Sequence, residues 1–516
     1  MANQEFTTGG LGRRQFLKLA GYGTLGAMAG GTWPFIDLSA ASQLEAADRK
    51  SQFLPDLDLS LIARPAQVPI FPGEPTQVWQ YQAIVHKGSQ DRVVSLPRSY
   101  LGPIIKAHRG EKVRIRFRND TPEKSIVHWH GLHVPAIMDG HPRHVVSQGE
   151  SYFYEFEVKN RAGTYWYHPH PHGRTGPQVY AGLAGLFLIH DEEEEALELP
   201  RGEFDLPFVL QDRIFTARNQ FDYPNHRMTQ MEGLLGDQIL LNGNPELTYA
   251  FKAGTYRLRL LNGSNARIYK LAWKNGNPLT IIGTDGGLLE TPREQDAVTL
   301  APAQRIDLWV DLSKDEMGTV RELISLPHSA PGGRETFSVL TITVNEPSSQ
   351  SLALPEQLAT IQWENPDRAD NRNHPRTFEL AMGRGMQFEI NGRTFAMEQV
   401  ANDEKVKLGD LEIWEFENVP GGMGMMNHMD IPHPMHIHGL QFQILERDVA
   451  GVDQSRWGNL IDSCLDAGWH DTVLVHPGEK IRLLMRFTDF SGLYLYHCHN
   501  LEHEDMGMMR NYLVES

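Results

Sequence analysis

Three stretches of the chain repeat one pattern of apolar and polar positions, about 150 residues apart, a domain-sized interval rather than a solenoid one. "RGEKVRIRFRND" (109–120) is a turn glycine followed by alternating residues that end on a turn asparagine. "KAGTYRLRLLNGSN" (252–265) and "KLGDLEIWEFENV" (407–419) repeat it. Period-two alternation puts successive side chains on opposite faces and predicts a strand in each. A second marker follows each strand: "HWHGL" at 128, "IIGTDGG" at 281 and "HPMHIHGL" at 433. The first and third units share a closing echo, "GTYWYHPH" (163–170) and "GLYLYHCH" (492–499). Short strands with turn residues between them and few helix signals indicate an all-β Greek-key sandwich or barrel, built three times. The middle unit has no histidine at its "IIGTDGG" position, so it reads as a scaffold without metal.

"DEEEEALELPRGE" (191–203) is a charged exit from the first unit, and residues 345–375 form a longer, irregular, surface-bound passage into the third. The expected divisions are a leader at 1–48 and domains at 49–195, 196–345 and 346–516. A chain of 516 residues exceeds one core, which agrees. The formal charge of −17 makes nucleic acid and anionic membrane surfaces poor partners. The leader contains "GRRQFLKLAGYGTLGAMAGG" (12–31), with Arg13 and Arg14 ahead of a Gly/Ala-rich apolar run. This resembles a twin-arginine export signal, with Gly12 where Ser or Thr is commoner, and cleavage is expected near Ala41. The plainer reading is an amphipathic N-terminal helix. An export signal implies the twin-arginine export machinery as a partner and a periplasmic or otherwise exported, soluble product. No later stretch is long and apolar enough to span a bilayer.

The candidate chemistry lies in four histidine clusters: His128 and His130; His168 and His170; His433, His436 and His438; His497, His499 and His503. On a strand, H-x-H presents two imidazoles on one face and the intervening residue on the other. In "HCH" that residue is Cys498, one of only two cysteines. The strand therefore sends a thiol toward one site and two imidazoles toward another. Imidazoles with one thiolate and a weak thioether suit copper; Cys498, His503 and Met508 supply three such donors and His433 the fourth. Structural zinc prefers more thiolates, and catalytic zinc needs only three ligands.

"HWHG", "YHPHPHG", "HPMHIHG" and "HCHNLEHEDMGMM" resemble the four copper-binding motifs of the three-domain multicopper oxidases, from about residue 65 to the C-terminus. The likeness is nearest to the bacterial branch of laccases, bilirubin oxidases and cuprous oxidases. It implies three consecutive cupredoxin-like Greek-key β-barrel domains and four copper ions: one type 1, one type 2 and two type 3. It assigns type 1 copper to His433, Cys498, His503 and Met508, and type 2 to His128 and His436. One type 3 ion takes His130, His168 and His499, and the other His170, His438 and His497. The family's acids in proton delivery match Asp139 and Glu504. His133 and His172 fall outside the ligand positions, His141, His144, His428, His470 and His476 read as surface or loop residues, and Cys464 as a small buried hydrophobe. The implied reaction couples oxidation of a phenolic, aromatic amine or Cu(I) reductant to reduction of dioxygen to water. Met423, Met425, Met426 and Met429 precede His433 and form either an apolar wall for organic substrates or a set of Cu(I) donors. A non-enzymatic, exported copper-handling or envelope protein is the competing class.

Overall fold

The computed structural model describes residues 52–516 apart from 225, 348–349, 384–386 and 421–429. The leader, His428 and the four methionines before His433 thus lie outside the described residues. The three repeated stretches form the strands Lys112–Asn119, Thr255–Asn262 and Leu411–Asn418. Each has the same neighbours. One side carries a parallel partner, respectively Leu57–Val68, Asp205–Arg213 and Arg376–Met382. The other side carries an antiparallel partner, Ser151–Glu157, Arg305–Asp311 and Lys480–Arg486. A second sheet packs against each of these and again includes one parallel pair. This mixed pairing, made three times, is the cupredoxin-like β architecture.

The alternation buries one face in each core, as with Val113, Ile115 and Phe117, all fully enclosed. The polar face is not left to water. Arg116 pairs with Asp58 through both guanidinium nitrogens. In the middle unit Arg257 and Arg259 are buried against Glu194, Asp205 and Asp307. Glu194 belongs to the charged exit, where Glu192–Glu195 makes one helical turn capped by Asp191. That segment joins two units by buried ion pairs, which the low local dielectric makes strong only because both signs are present.

Two expectations are corrected. The middle-unit counterpart of the histidine strands is Tyr269–Trp273, which pairs with Val320–Ser325 as Val127–His130 pairs with Gly163–Pro169 and His433–Ile437 with Gly492–Cys498. "IIGTDGG" lies one strand later, on Leu279–Thr284, in the other sheet. Both strands are apolar and follow the shared stretch, so a slip of one strand keeps the pattern. Tyr269–Trp273 also lacks histidine. The glycines of "IIGTDGG" have a different cause: a Cβ on Gly286 would overlap Trp469 of the third unit, and one on Gly287 (φ +98°) would overlap Ala162 of the first. Beyond the strand that ends at Glu346, the described part of the 345–375 passage is irregular as expected, with a short 3-10 helix at Pro366–Arg368 and a turn at 370–373. It is not wholly on the surface, because Leu358 and Ala359 complete the middle core.

Candidate metal centre

Cys498 and its neighbouring histidines separate as strand geometry requires. Cys498 Sγ lies 3.5 Å from His433 Nδ1 and 3.7 Å from His503 Nδ1, and those nitrogens are 3.3 Å apart. His503 sits on the short helix Leu501–Asp505, where its Nε2 faces the Met231 carbonyl at 3.0 Å and Phe388 stacks on its ring at 3.8 Å. Met508 is buried beside them; its backbone accepts from Cys498 N (3.0 Å) and donates to the His503 carbonyl (2.9 Å). His433 is 5% exposed, whereas Cys498, His503 and Met508 are at 0%.

On the opposite face the remaining imidazoles converge. His128 Nε2 lies 3.3 Å from His436 Nε2, and His497 Nε2 lies 3.0 Å from His438 Nε2 and 3.3 Å from His170 Nε2. The rings of His130, His168 and His499 form a second group, with centroids 5.0–5.7 Å apart. Most outward nitrogens are anchored. Nδ1 of His128 faces the Asp139 carbonyl (2.7 Å), that of His436 the Asp471 carbonyl (2.7 Å), and that of His438 Asp139 Oδ2 (2.7 Å). His168 Nδ1 faces the Pro169 carbonyl at 2.9 Å. His130 is turned the other way: its Nε2 faces Asp471 Oδ1 at 3.1 Å, leaving Nδ1 for the interior. Metal-bound histidines characteristically donate the second ring nitrogen to an oxygen in this manner.

Whether copper fits can be judged on these atoms. His130 Nδ1, His168 Nε2 and both nitrogens of His499 are buried without a hydrogen-bond partner, a costly arrangement for polar atoms that have no other use. Sets of three ligand atoms mutually within 4.8 Å include His433/Cys498/His503, His170/His438/His497 and His128/His130/His168. Burial above all, and then neighbouring imidazoles, holds His130, His170, His436, His438, His499 and His503 far below the usual histidine range. Burial brings His433 and His497 down to about 3. Neutral imidazoles with converging lone pairs are electron donors waiting for a cation. Burial pushes the Cys498 thiol up, so its thiolate form requires a metal beside it. The donor set of imidazole with a single thiolate suits copper.

Both acids named from the sequence are buried at the cluster. Asp139 bonds His438 as above, with Oδ1 3.4 Å from His128 Nδ1. Glu504 places Oε2 3.2 Å from His497 Nδ1 and Oε1 3.6 Å from His170 Nε2, and neither oxygen is hydrogen-bonded. Burial, then the charges of Asp505 and Glu502, pushes the Glu504 carboxyl well above the usual range. Three of the histidines read as surface or loop residues lie between the regular elements but are buried. His141 faces Asn511 (2.9 Å), His470 the Ala467 carbonyl (3.0 Å) and His476 Glu479 (2.8 Å), so each has a polar partner on at least one ring nitrogen, while His470 Nδ1 and His476 Nε2 have no hydrogen-bond partner. His172 is exposed, while His133 and His144 are half-buried. Cys464 is half-buried rather than enclosed. Asp471 went unforeseen; its only sequence signal is a position just before the strand Thr472–Val475.

Comparison with known proteins identifies the family. Residues 77–194, 212–319 and 362–516 each match the multicopper oxidase family. A laccase of Bacillus stratosphericus is 32% identical over 494 residues, covering 84% of this chain and 90% of its own. The cell division protein FtsP of Xenorhabdus nematophila is 30% identical over 518 residues, 98% of both chains. The McoA multicopper oxidase of Aquifex aeolicus superposes with a TM-score of 0.76 at 35% identity, over 90% of this chain and 97% of that one. The fold and the clustered donors define a copper oxidase. This chain belongs to the multicopper oxidase family.

Proposed function

We propose that this oxidase is laccase-like, taking electrons singly from phenols or aromatic amines and reducing dioxygen to water. Four coppers supply that chemistry when bound: one accepts electrons from the reductant, and three together complete the four-electron reduction. His433, Cys498, His503 and Met508 would hold the first, and His128 with His436 the second. His130, His168 and His499 would hold the third, and His170, His438 and His497 the fourth. The observation that carries this reading is the separation at Cys498: one strand offers its thiol to one donor group while His497 and His499, directly bonded to it in sequence, serve the other. The backbone is thus a short covalent connection between the sites. His433, at 5% exposure the least enclosed member of its group, is where an external reductant would approach. Glu504 and Asp139 would serve proton delivery at the cluster, Glu504 holding a proton on its carboxyl beside His497 and Asp139 accepting from the ring of His438. The leader would export the folded protein to the periplasm through the twin-arginine route.

A second reading, a copper-handling or envelope protein with little oxidase activity, is favoured by the end-to-end likeness to a cell division protein. Copper content and oxygen uptake separate the two. The proposal expects four ions per chain and uptake with a phenolic donor that exceeds uptake with Cu(I). Full loading without uptake supports the second reading, and stronger uptake with Cu(I) makes the protein a cuprous oxidase.

A further inference from the structure

None of the assigned ligands belongs to the middle unit, yet one of its side chains reaches the acid that anchors two of them. Arg305 opens the strand Arg305–Asp311 and is buried where the three units meet. All five of its guanidinium donors are used. Nε donates to the Thr164 carbonyl of the first unit at 2.8 Å. Nη1 donates to the Ala303 carbonyl (3.0 Å) and Asp471 Oδ1 (2.7 Å). Nη2 donates to the Asp285 carbonyl (3.0 Å) and Asp471 Oδ2 (2.6 Å). Asp285 Oδ1 in turn accepts from Arg305 N at 2.7 Å. The planar fork therefore grips both oxygens of Asp471 and fixes its plane.

Asp471 then touches two proposed ligands from two different units. Its Oδ1 faces His130 Nε2, and its carbonyl faces His436 Nδ1. The first contact, together with Thr472 Oγ1 at 3.3 Å from the same nitrogen, holds His130 with Nδ1 pointing inward. The glycine of "HWHG" makes room for the pair: at Gly131 (φ +84°) a Cβ would overlap Asp471 Oδ2 and stand 3.0 Å from Arg305 Nη2. The sequence motif thus has a spatial partner in the far C-terminal part of the chain.

We propose that Arg305 is a positioning residue of the three-copper cluster, setting Asp471 so that His130 and His436 present the correct ring nitrogens. Docking of the middle unit is then a condition for complete metal loading, though none of the assigned ligands belongs to it. The proposal rests on the copper assignment above, which the copper content of the parent protein tests by itself. Arg305→Lys keeps the buried positive charge but loses the fork. In full-length protein, the expected result is undiminished blue colour from the Cys498 site together with about 10- to 100-fold weaker retention of cluster copper against a chelator. The type 2 copper should show an altered EPR signal. A purely structural role predicts loss of copper from both sites alike, and that result overturns the proposal. So does a variant with parent-like copper retention and EPR. Should Arg305→Lys not fold, Asp471→Asn keeps an acceptor for His130 while breaking the ion pair, and the same selective loss of cluster copper is required of it.

Discussion

Replacing Glu479 by Gln tests how the protein supports His433 from beneath. Glu479 is fully buried; its Oε2 accepts from His476 N (2.7 Å) and faces His476 Nδ1 (2.8 Å), and its Oε1 accepts from Arg447 Nη1 (2.7 Å). This cluster closes the turn after Thr472–Val475, whose Val475 is paired with His433. Burial alone would raise the Glu479 carboxyl, but Arg447 and His476 override it and hold it at about 2, against an ordinary 4.5. Each tenfold change in proton affinity is worth 1.36 kcal/mol, so the ionised carboxylate contributes about 3 kcal/mol at neutral pH. The cost of breaking a buried ion pair, about 3–5 kcal/mol, points to the same size. The folded value is depressed, so this stabilisation is complete above pH 4.5 and is lost as pH falls toward 2. Denaturant unfolding of metal-free parent and Glu479→Gln protein, followed by tryptophan fluorescence, should differ by about 3 kcal/mol at pH 7 and about 2 kcal/mol at pH 3.5. A difference below about 1 kcal/mol at pH 7, or one that grows as pH falls, would refute the reasoning.

Cys498→Ser removes the soft donor but little volume; copper-loaded variant should be folded and colourless, as absorption and circular dichroism would report, and a blue variant would displace Cys498 from the site. Glu504→Gln is nearly isosteric and relays no proton, so oxygen uptake should slow by about 100-fold while copper content stays at the parent level. Equal turnover at every pH would remove Glu504 from proton delivery.

The order of the residues determines a good deal by itself. Period-two alternation places His497 and His499 on one face and Cys498 on the other, and the same rule pairs His128 with His130. These are properties of one strand, fixed by the pleat, and they hold in any fold that keeps the strand. The threefold recurrence of Lys112–Asn119, Thr255–Asn262 and Leu411–Asn418 is equally local. What an alternating face meets is not. Nothing in the alternation tells Arg116, Arg257 and Arg259 from solvent-facing residues, yet tertiary packing buries them against acids of other strands and units. His141, His470 and His476 carry no mark distinguishing them from surface histidines; distant partners such as Asn511 make their burial tolerable. "IIGTDGG" looks like a second marker, and only the sheet order shows that its glycines serve the approach of three units. Asp471 and Arg305 are the clearest case. Periodicity reports which side of its own strand a residue occupies, whereas the contact of Asp471 with His130 joins positions 341 residues apart and exists only once the three units have packed.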